Sequence, residues 1–446
     1  MITPPPDLVA RYRTRAPRYT SYPTAPHFHA IEPAEITAAL GRVRRDVSVY
    51  VHVPFCRSLC HYCGCHVEIK GARRDLGSPY VDLLLAELDL RVGAMPGGHR
   101  ADQVSIGGGT PTFLWPEDMQ RLARGIRDRL PLTPAADVSV EIDPRTVDDA
   151  YLGALVDSGF NRFSFGVQDL DIEVLDAVNR HQTEEQVRAC VDGVRRRGAF
   201  DLNLDLMYGL PHQTPERFQR TLDMVAELAP SRVALFLYAH VPWMKPAQKL
   251  LDRHGLPDGD VRTELFARAV RTFEAAGYRR VGMDHFARPD DELVRALDAG
   301  TLQRNFMGYT TRAGLDLLPL GVSSIGLFGD VYAQNLKDRD AWTARVEAGE
   351  IPTERGHRLT DDDRRRRRVI MELFCNFRVT LTPDEQATLG AEVARLGPLI
   401  DDGLVTVDGP HIAITSLGRH FVRNVCATFD AYLEPESGDR RYSVTA

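Results

Sequence analysis

The chain has 446 residues, 43% of them hydrophobic and 26% charged, with a formal net charge of −7. This balance excludes intrinsic disorder and any global basic field that would recruit nucleic acid or an anionic membrane, and the length points to two or three domains. No apolar run approaches the roughly 20 residues of a membrane span, and Pro4, Pro5 and Pro6 stand where a signal peptide needs its apolar core, so a cytoplasmic chain with no nucleic-acid or membrane partner is expected.

Residues 1–45 form an arm in which Arg11, Arg13, Arg15 and Arg18 alternate with Tyr12, Tyr19 and Tyr22. Such an arm either packs on the next domain or closes over a flat anionic ligand through charge-assisted hydrogen bonds and ring stacking. From Val47 on, short β-branched runs alternate with helical patterns, the signature of βα units on a parallel sheet. The predicted strands are 47–53, 103–106, 138–142, 162–166, 203–207 and 232–237, and helices are predicted over 79–91, 116–129, 184–197 and 215–228. The fold class expected is α/β, a partial (β/α)6 TIM-like barrel over 46–340, followed by a helix-rich C-terminal domain over 341–446. Further on, 261–275 reads as a helix, 279–284 as one strand, 305–311 as a loop and 404–414 as a hairpin, and the last dozen residues as a loose tail. The arginine run Arg364–Arg368 follows a Thr360 N-cap with three acids, and reads as a solvated, salt-bridged helix surface rather than a nucleic-acid site.

Four of the seven cysteines lie within ten residues, Cys56, Cys60, Cys63 and Cys65, directly after the first strand. An odd, clustered set is the opposite of a secreted disulfide framework. Soft thiolates select iron–sulfur clusters, zinc or Cu(I). A C-x3-C-x2-C loop can give three ligands to a cubane with one open iron, whereas zinc knots use two separated ligand pairs. Cys65 is then either a fourth ligand or a thiol outside the cluster. Other unusual residues fall at strand ends: Gly107–Thr112 after the second, Glu141 and Asp143 at the third, Gln168 and Asp169 after the fourth, Asp205, Tyr208 and Gly209 at the end of the fifth, Tyr238 and His240 after the sixth. Chemistry in βα barrels gathers at that C-terminal rim, and these groups together suit a nucleoside-like ligand.

These motifs resemble the radical S-adenosylmethionine (SAM) enzymes, whose hallmark is the C-x3-C-x2-C loop with an aromatic, here Tyr62, before its third cysteine. The likeness extends along nearly the whole chain to the oxygen-independent coproporphyrinogen III oxidases. It is carried by 18–24 (RYTSYPT), 50–65, Gly107–Thr112, 141–145 (EIDPR), 166–169 (GVQD), 205–211, 238–240, 282–288 (GMDHFAR), 305–311 and 332–335. The resemblance implies a 4Fe–4S cluster on Cys56, Cys60 and Cys63. It implies one SAM contacted by Tyr62, Gly109, Thr110, Gln168, Arg180, Asp205 and Ala239, and a second by Tyr50, Gly108, Glu141 and Ile325. Cys65, Tyr50 and Glu141 would be catalytic, with Cys65 outside the cluster. Met307 departs from members that carry glutamine beside the second SAM.

The implied reaction starts when one electron from an unidentified donor cleaves SAM to methionine and a 5′-deoxyadenosyl radical. The radical takes a hydrogen from a propionate β-carbon, and loss of CO2 and one electron leaves a vinyl group. Rings A and B of coproporphyrinogen III are treated in turn, on a monomer. The arm, with Arg18, and Arg288 are the candidate propionate ligands. The rivals are a haem-carrying relative without the activity, a radical haem methyltransferase, and a plain iron–sulfur electron carrier. The first typically lacks the fourth loop cysteine and the arm motif, both present here.

Overall fold

Strand β1 (Val47–Val53) is buried on both faces apart from Tyr50, which is half-buried, and that is the pattern of a central strand in a helix-covered parallel sheet. It leads a run of parallel neighbours: β2 (Ala101–Gly108), β3 (Leu132–Ile142), β4 (Arg162–Gln168), β5 (Asp201–Tyr208) and β6 (Arg232–Leu237). The computed structural model describes residues 4–44, 46–198, 200–433 and 442–445. Amphipathic helices cross between the strands, among them Gly77–Gly93, Pro116–Arg129, Glu184–Arg195 and Pro215–Leu228. Two of these begin on proline, which suits a first turn whose N–H has no intrahelical partner.

The six strands belong to an open, mixed sheet of 13. On the far side of β1 lies a seventh parallel strand, Asp316–Leu320, then the antiparallel Ile325–Phe328, Val331–Asn335 and Thr353–Arg358, with His29–Ala30 at the edge. Beyond β6 the sheet ends in an antiparallel pair, His285–Ala287 and Arg279–Val281. This corrects the single strand expected over 279–284. The chain reverses at Gly282, where φ is +57° and an added Cβ would meet the Tyr309 ring at 2.1 Å, so only glycine fits. The loop expected over 305–311 is instead part of a hairpin, Gln303–Asn305 with Gly308–Thr310.

Two main cores form. One lies between the barrel sheet and its helices. The other joins Leu8, Tyr19 and Tyr22 of the arm to helix Asp361–Asn376 and to the segment from Phe421 to Phe429. Residues 8–22 of the arm therefore pack on the C-terminal part of the chain, whereas Ile36, Ala39, Leu40 and Val43 join the barrel core. Tyr12 donates to Asp402 at 2.6 Å and Tyr19 to Asp430 at 3.0 Å, while Arg423 donates to the carbonyls of Ala16, Pro17 and Val444. The expected loose tail lies mostly outside the described residues; of it, Val444 bridges Arg15. The hairpin expected over 404–414 is present as Val405–Asp408 with His411–Ile414. Each arginine of the run 364–368 finds a partner: Asp361, Asp384, Glu392, the Tyr332 hydroxyl and Glu372, in order. Among the described residues no helix is long and apolar enough to cross a membrane.

Candidate active site

The cysteine loop is tied to four neighbouring stretches of the rim. Phe55–Cys56 pairs with Glu68–Ile69, and the N–H groups of Gly109 and Thr110 donate to the carbonyls of Val53 and Phe55 at 2.8 and 2.9 Å. Asn179 holds the Leu59 carbonyl at 2.8 Å, Gln248 that of Tyr62 at 3.1 Å, and Lys245 that of Cys65 at 2.7 Å. Gly109 has to be glycine, because a Cβ there would sit 2.7 Å from the Pro54 carbonyl. Below the loop a cavity of about 490 Å³ opens at the C-terminal ends of the strands. All four loop cysteines line it, with Tyr50, Tyr62, Gly108, Gly109, Thr110, Glu141, Gln168, Arg180 and Asp205.

Charge is arranged unevenly around the thiols. Arg145 and Arg180 approach Cys60 Sγ at 3.8 and 3.7 Å, and both pair with Asp143, at 2.6 and 3.4 Å. Burial works against the Asp143 charge, but Arg180 and Arg145 outweigh it and hold the carboxyl at about 2. Cys63 and Cys65 lie beside one another, and each shifts the other, Cys63 downward and Cys65 upward. Burial pushes Cys56 up to about 12.

Across the cavity, Glu141 accepts from the Gly108 N–H at 3.0 Å. It is exposed to water within the cavity, yet the enclosing walls penalise its charge; burial and the nearby Asp205 raise it to about 7. Asp205 is also raised by burial, and accepts from Asn203 at 2.8 Å and Ser164 at 3.2 Å. Tyr50 lies 3.2 Å from His52 Nδ1, and His52 Nε2 is 2.9 Å from the His66 carbonyl. That carbonyl can only accept, so His52 carries its proton on Nε2 and Tyr50 donates to Nδ1.

Two residues expected at the site lie outside the cavity lining. Ala239 is absent from it, and Ile325 packs with Phe28, Tyr332 and Leu359. Both candidate propionate arginines are misplaced as well. Arg18 donates to the Leu237 carbonyl at 2.6 Å and faces a separate cavity. Arg288 is exposed, and its N–H donates to Ser231, next to the first residue of β6 and so at the opposite end of the barrel. Thr20 and Met307 do reach the cavity. Sequence reasoning missed Arg145 and His52. The signal for Arg145 was an arginine two residues beyond a rim aspartate; for His52, the period of two that places it on the face opposite Val53.

The Radical SAM superfamily model matches residues 50–225. An oxygen-independent coproporphyrinogen III oxidase of Pseudomonas aeruginosa is 42% identical over 98% of this chain and 97% of its own length. One of Escherichia coli is 41% identical over the same shares. The chain belongs to the oxygen-independent coproporphyrinogen III oxidase family. The solved structure of the Escherichia coli coproporphyrinogen III oxidase, a radical SAM enzyme, superimposes with a TM-score of 0.90 at 40% identity, over 97% of this chain and all of that one.

Membership of this oxidase family implies a 4Fe–4S cluster and SAM, and the residues fit them. Among the described residues no three Cys, His, Asp or Glu side chains converge on a single metal ion. Two guanidiniums lie beside Cys60, and the Nε of Arg180 is buried with no acceptor.

Proposed function

We infer that this chain catalyses oxidative decarboxylation of the ring A and B propionates of coproporphyrinogen III to vinyl groups, giving protoporphyrinogen IX in haem biosynthesis. What carries the reading is family membership along almost the entire chain together with one cavity lined by all four loop cysteines. In the same proposal it works as a cytoplasmic monomer fed by a separate electron donor, with an arm (1–45), a barrel (46–340) and a C-terminal domain (341–446). A core of its own over 369–429, shared with residues 8–22 and 281–309, is what speaks for a separate C-terminal unit.

Cys56, Cys60 and Cys63 would hold the cluster, with two SAM molecules beside it. When bound, that assembly supplies a 5′-deoxyadenosyl radical able to remove one hydrogen atom from a propionate β-carbon. For each propionate, the Cα–carboxylate bond then breaks, CO2 leaves, one electron departs and the Cα–Cβ double bond forms. The chain's residues supply position and exclusion. Asn203 and Ser164 donate to Asp205, which leaves that carboxylate an acceptor for ligand hydroxyls. Glu141 sits near half-protonation at neutral pH and can hold or release a proton at its carboxyl. His52 fixes the Tyr50 proton toward itself, so the Tyr50 oxygen offers lone pairs to the cavity. Cys65, beside Cys63 on the same loop, would stand outside the ligand set. Phe236, Phe306 and Tyr309 supply apolar wall that keeps bulk water out.

Anaerobic reconstitution with iron and sulfide, followed by dithionite, SAM and coproporphyrinogen III, tests the reading. Release of 5′-deoxyadenosine with CO2 and a vinyl product is expected. Absence of 5′-deoxyadenosine overturns it, and 5′-deoxyadenosine without CO2 assigns the radical to another substrate.

A further inference from the structure

Strand β4 keeps its alternation to the last residue: Phe163, Phe165 and Val167 are buried, while Ser164, Gly166 and Gln168 line the cluster cavity. There it breaks sharply. Gln168 has φ at +69°, and the Asp169 N–H donates back to the Val167 carbonyl at 2.9 Å. A positive φ closed by a hydrogen bond between residues two apart is the rarer, strained form of the γ-turn. The pairing register with β5 slips at the same point, between Gly166 and Gln168.

Asp169 holds that strain in place. Its carboxylate is fully buried, and among the described residues no cation pairs with it. Oδ1 accepts instead from the N–H groups of Leu170 and Asp171 at 2.6 and 3.0 Å and from the Thr221 hydroxyl at 2.6 Å. Oδ2 accepts from Gln213 Nε2 at 2.6 Å, and Gln213 also donates to the Met207 carbonyl at 2.8 Å. Thr221 lies on helix Pro215–Leu228, so one carboxylate fastens the end of β4 to the end of β5 and to the helix behind them. A buried charge without a counter-ion is costly, and packing alone would not call for it.

The turn decides where the Gln168 amide goes. A Cβ added to Gly166 would lie 2.9 Å from Gln168 Nε2 and 3.2 Å from Arg180 Nη2, so the two side chains meet over the bare glycine. Arg180 also reaches Cys60 Sγ at 3.7 Å. Among the described residues nothing hydrogen-bonds the Gln168 amide, which leaves a donor and an acceptor unspent at the cavity wall. We propose that Asp169 is a positioning residue for SAM: by locking the γ-turn it presents the Gln168 amide, beside Arg180, to the bound cofactor. The inference rests on SAM occupying this cavity, as proposed above. Without the carboxylate, Gln168 can relax to a negative φ and carry its amide away from Gly166.

A double-mutant cycle on SAM affinity tests this, by anaerobic equilibrium dialysis of the reconstituted protein against labelled SAM. D169N keeps the shape of Asp169 but turns an NH2 group toward a donor, Gln213 or Thr221. It should weaken SAM binding about tenfold, as for partners that orient a ligand-contacting group, with bound iron unchanged. Q168G accepts the positive φ and lacks the amide. Adding D169N to it should therefore cost no more than about twofold further. Circular dichroism checks each fold, and T221V, which removes one donor to the same carboxylate, replaces D169N in the cycle if that variant does not fold. Unaltered SAM affinity, or an equal loss in the Q168G background, overturns the inference while SAM binding by the parent stands. If the parent itself binds no SAM, the functional reading falls and the inference with it.

Discussion

The two cores of this molecule are assembled over different lengths of chain. In the barrel, each of β1 to β5 pairs with the strand that follows it, and the cavity residues sit at successive strand ends. In the second core, Tyr12, Tyr19 and Thr24 find their partners 390, 411 and 418 positions away. The first keeps chemistry on locally encoded elements. The second brings distant ends together over it, with Thr20 of the arm among the residues lining the cavity. Chemistry and enclosure are thus encoded on different scales.

The sharpest way to break that contrast is at the local centre. Cys60→Ala should bring 5′-deoxyadenosine formation to background and lower bound iron, read by iron analysis. Cys65→Ser should keep the iron and lose vinyl product; iron lost in that variant would make Cys65 a ligand. A blow to the distant core should act on stability first. Arg423→Gln strands several buried carbonyls, at about 1–3 kcal/mol for each group left unsatisfied. A lower urea midpoint and faster protease cleavage within 5–24 are expected.

Smaller still is a pH effect inside the barrel. Glu141 is raised from the ordinary glutamate range to about 7. Its contribution to stability is therefore complete below about pH 4.3 and lost as pH rises through 7. Glu141→Gln removes that slope, so its melting temperature should gain on the parent between pH 5 and 8, followed by calorimetry. The smallest effect belongs to Arg288→Ala, which touches neither core's cavity; kcat/KM should stay within about twofold, as for surface substitutions far from such features.

Most of the barrel was legible because period-two alternation carries both fold and site. Val138-Ser139-Val140-Glu141-Ile142 buries its valines and Ile142 and turns Ser139 and Glu141 into the cavity. Helix Pro116–Arg129 begins and ends where its proline and its polar–apolar period predict. The hairpin over 279–287 was not legible, since its turn depends on the Tyr309 ring filling the space beside Gly282, a contact 27 positions away. Arg18 and Arg288 were misassigned for a related reason. A substrate with carboxylates calls for arginine, but residue type does not say which side of a sheet a side chain faces. The cysteine loop announced a soft-metal site by its spacing alone, and the structure adds that all four of its thiols line one cavity.

The strand bridge between Arg15 and Val444, with the Thr445 N–H on the Thr14 carbonyl at 2.8 Å, sets an order in time. A ribosome delivers the barrel strands long before it delivers residue 445. The first residues of the arm therefore reach their seat only after the segment that forms it has been made, hundreds of residues behind them.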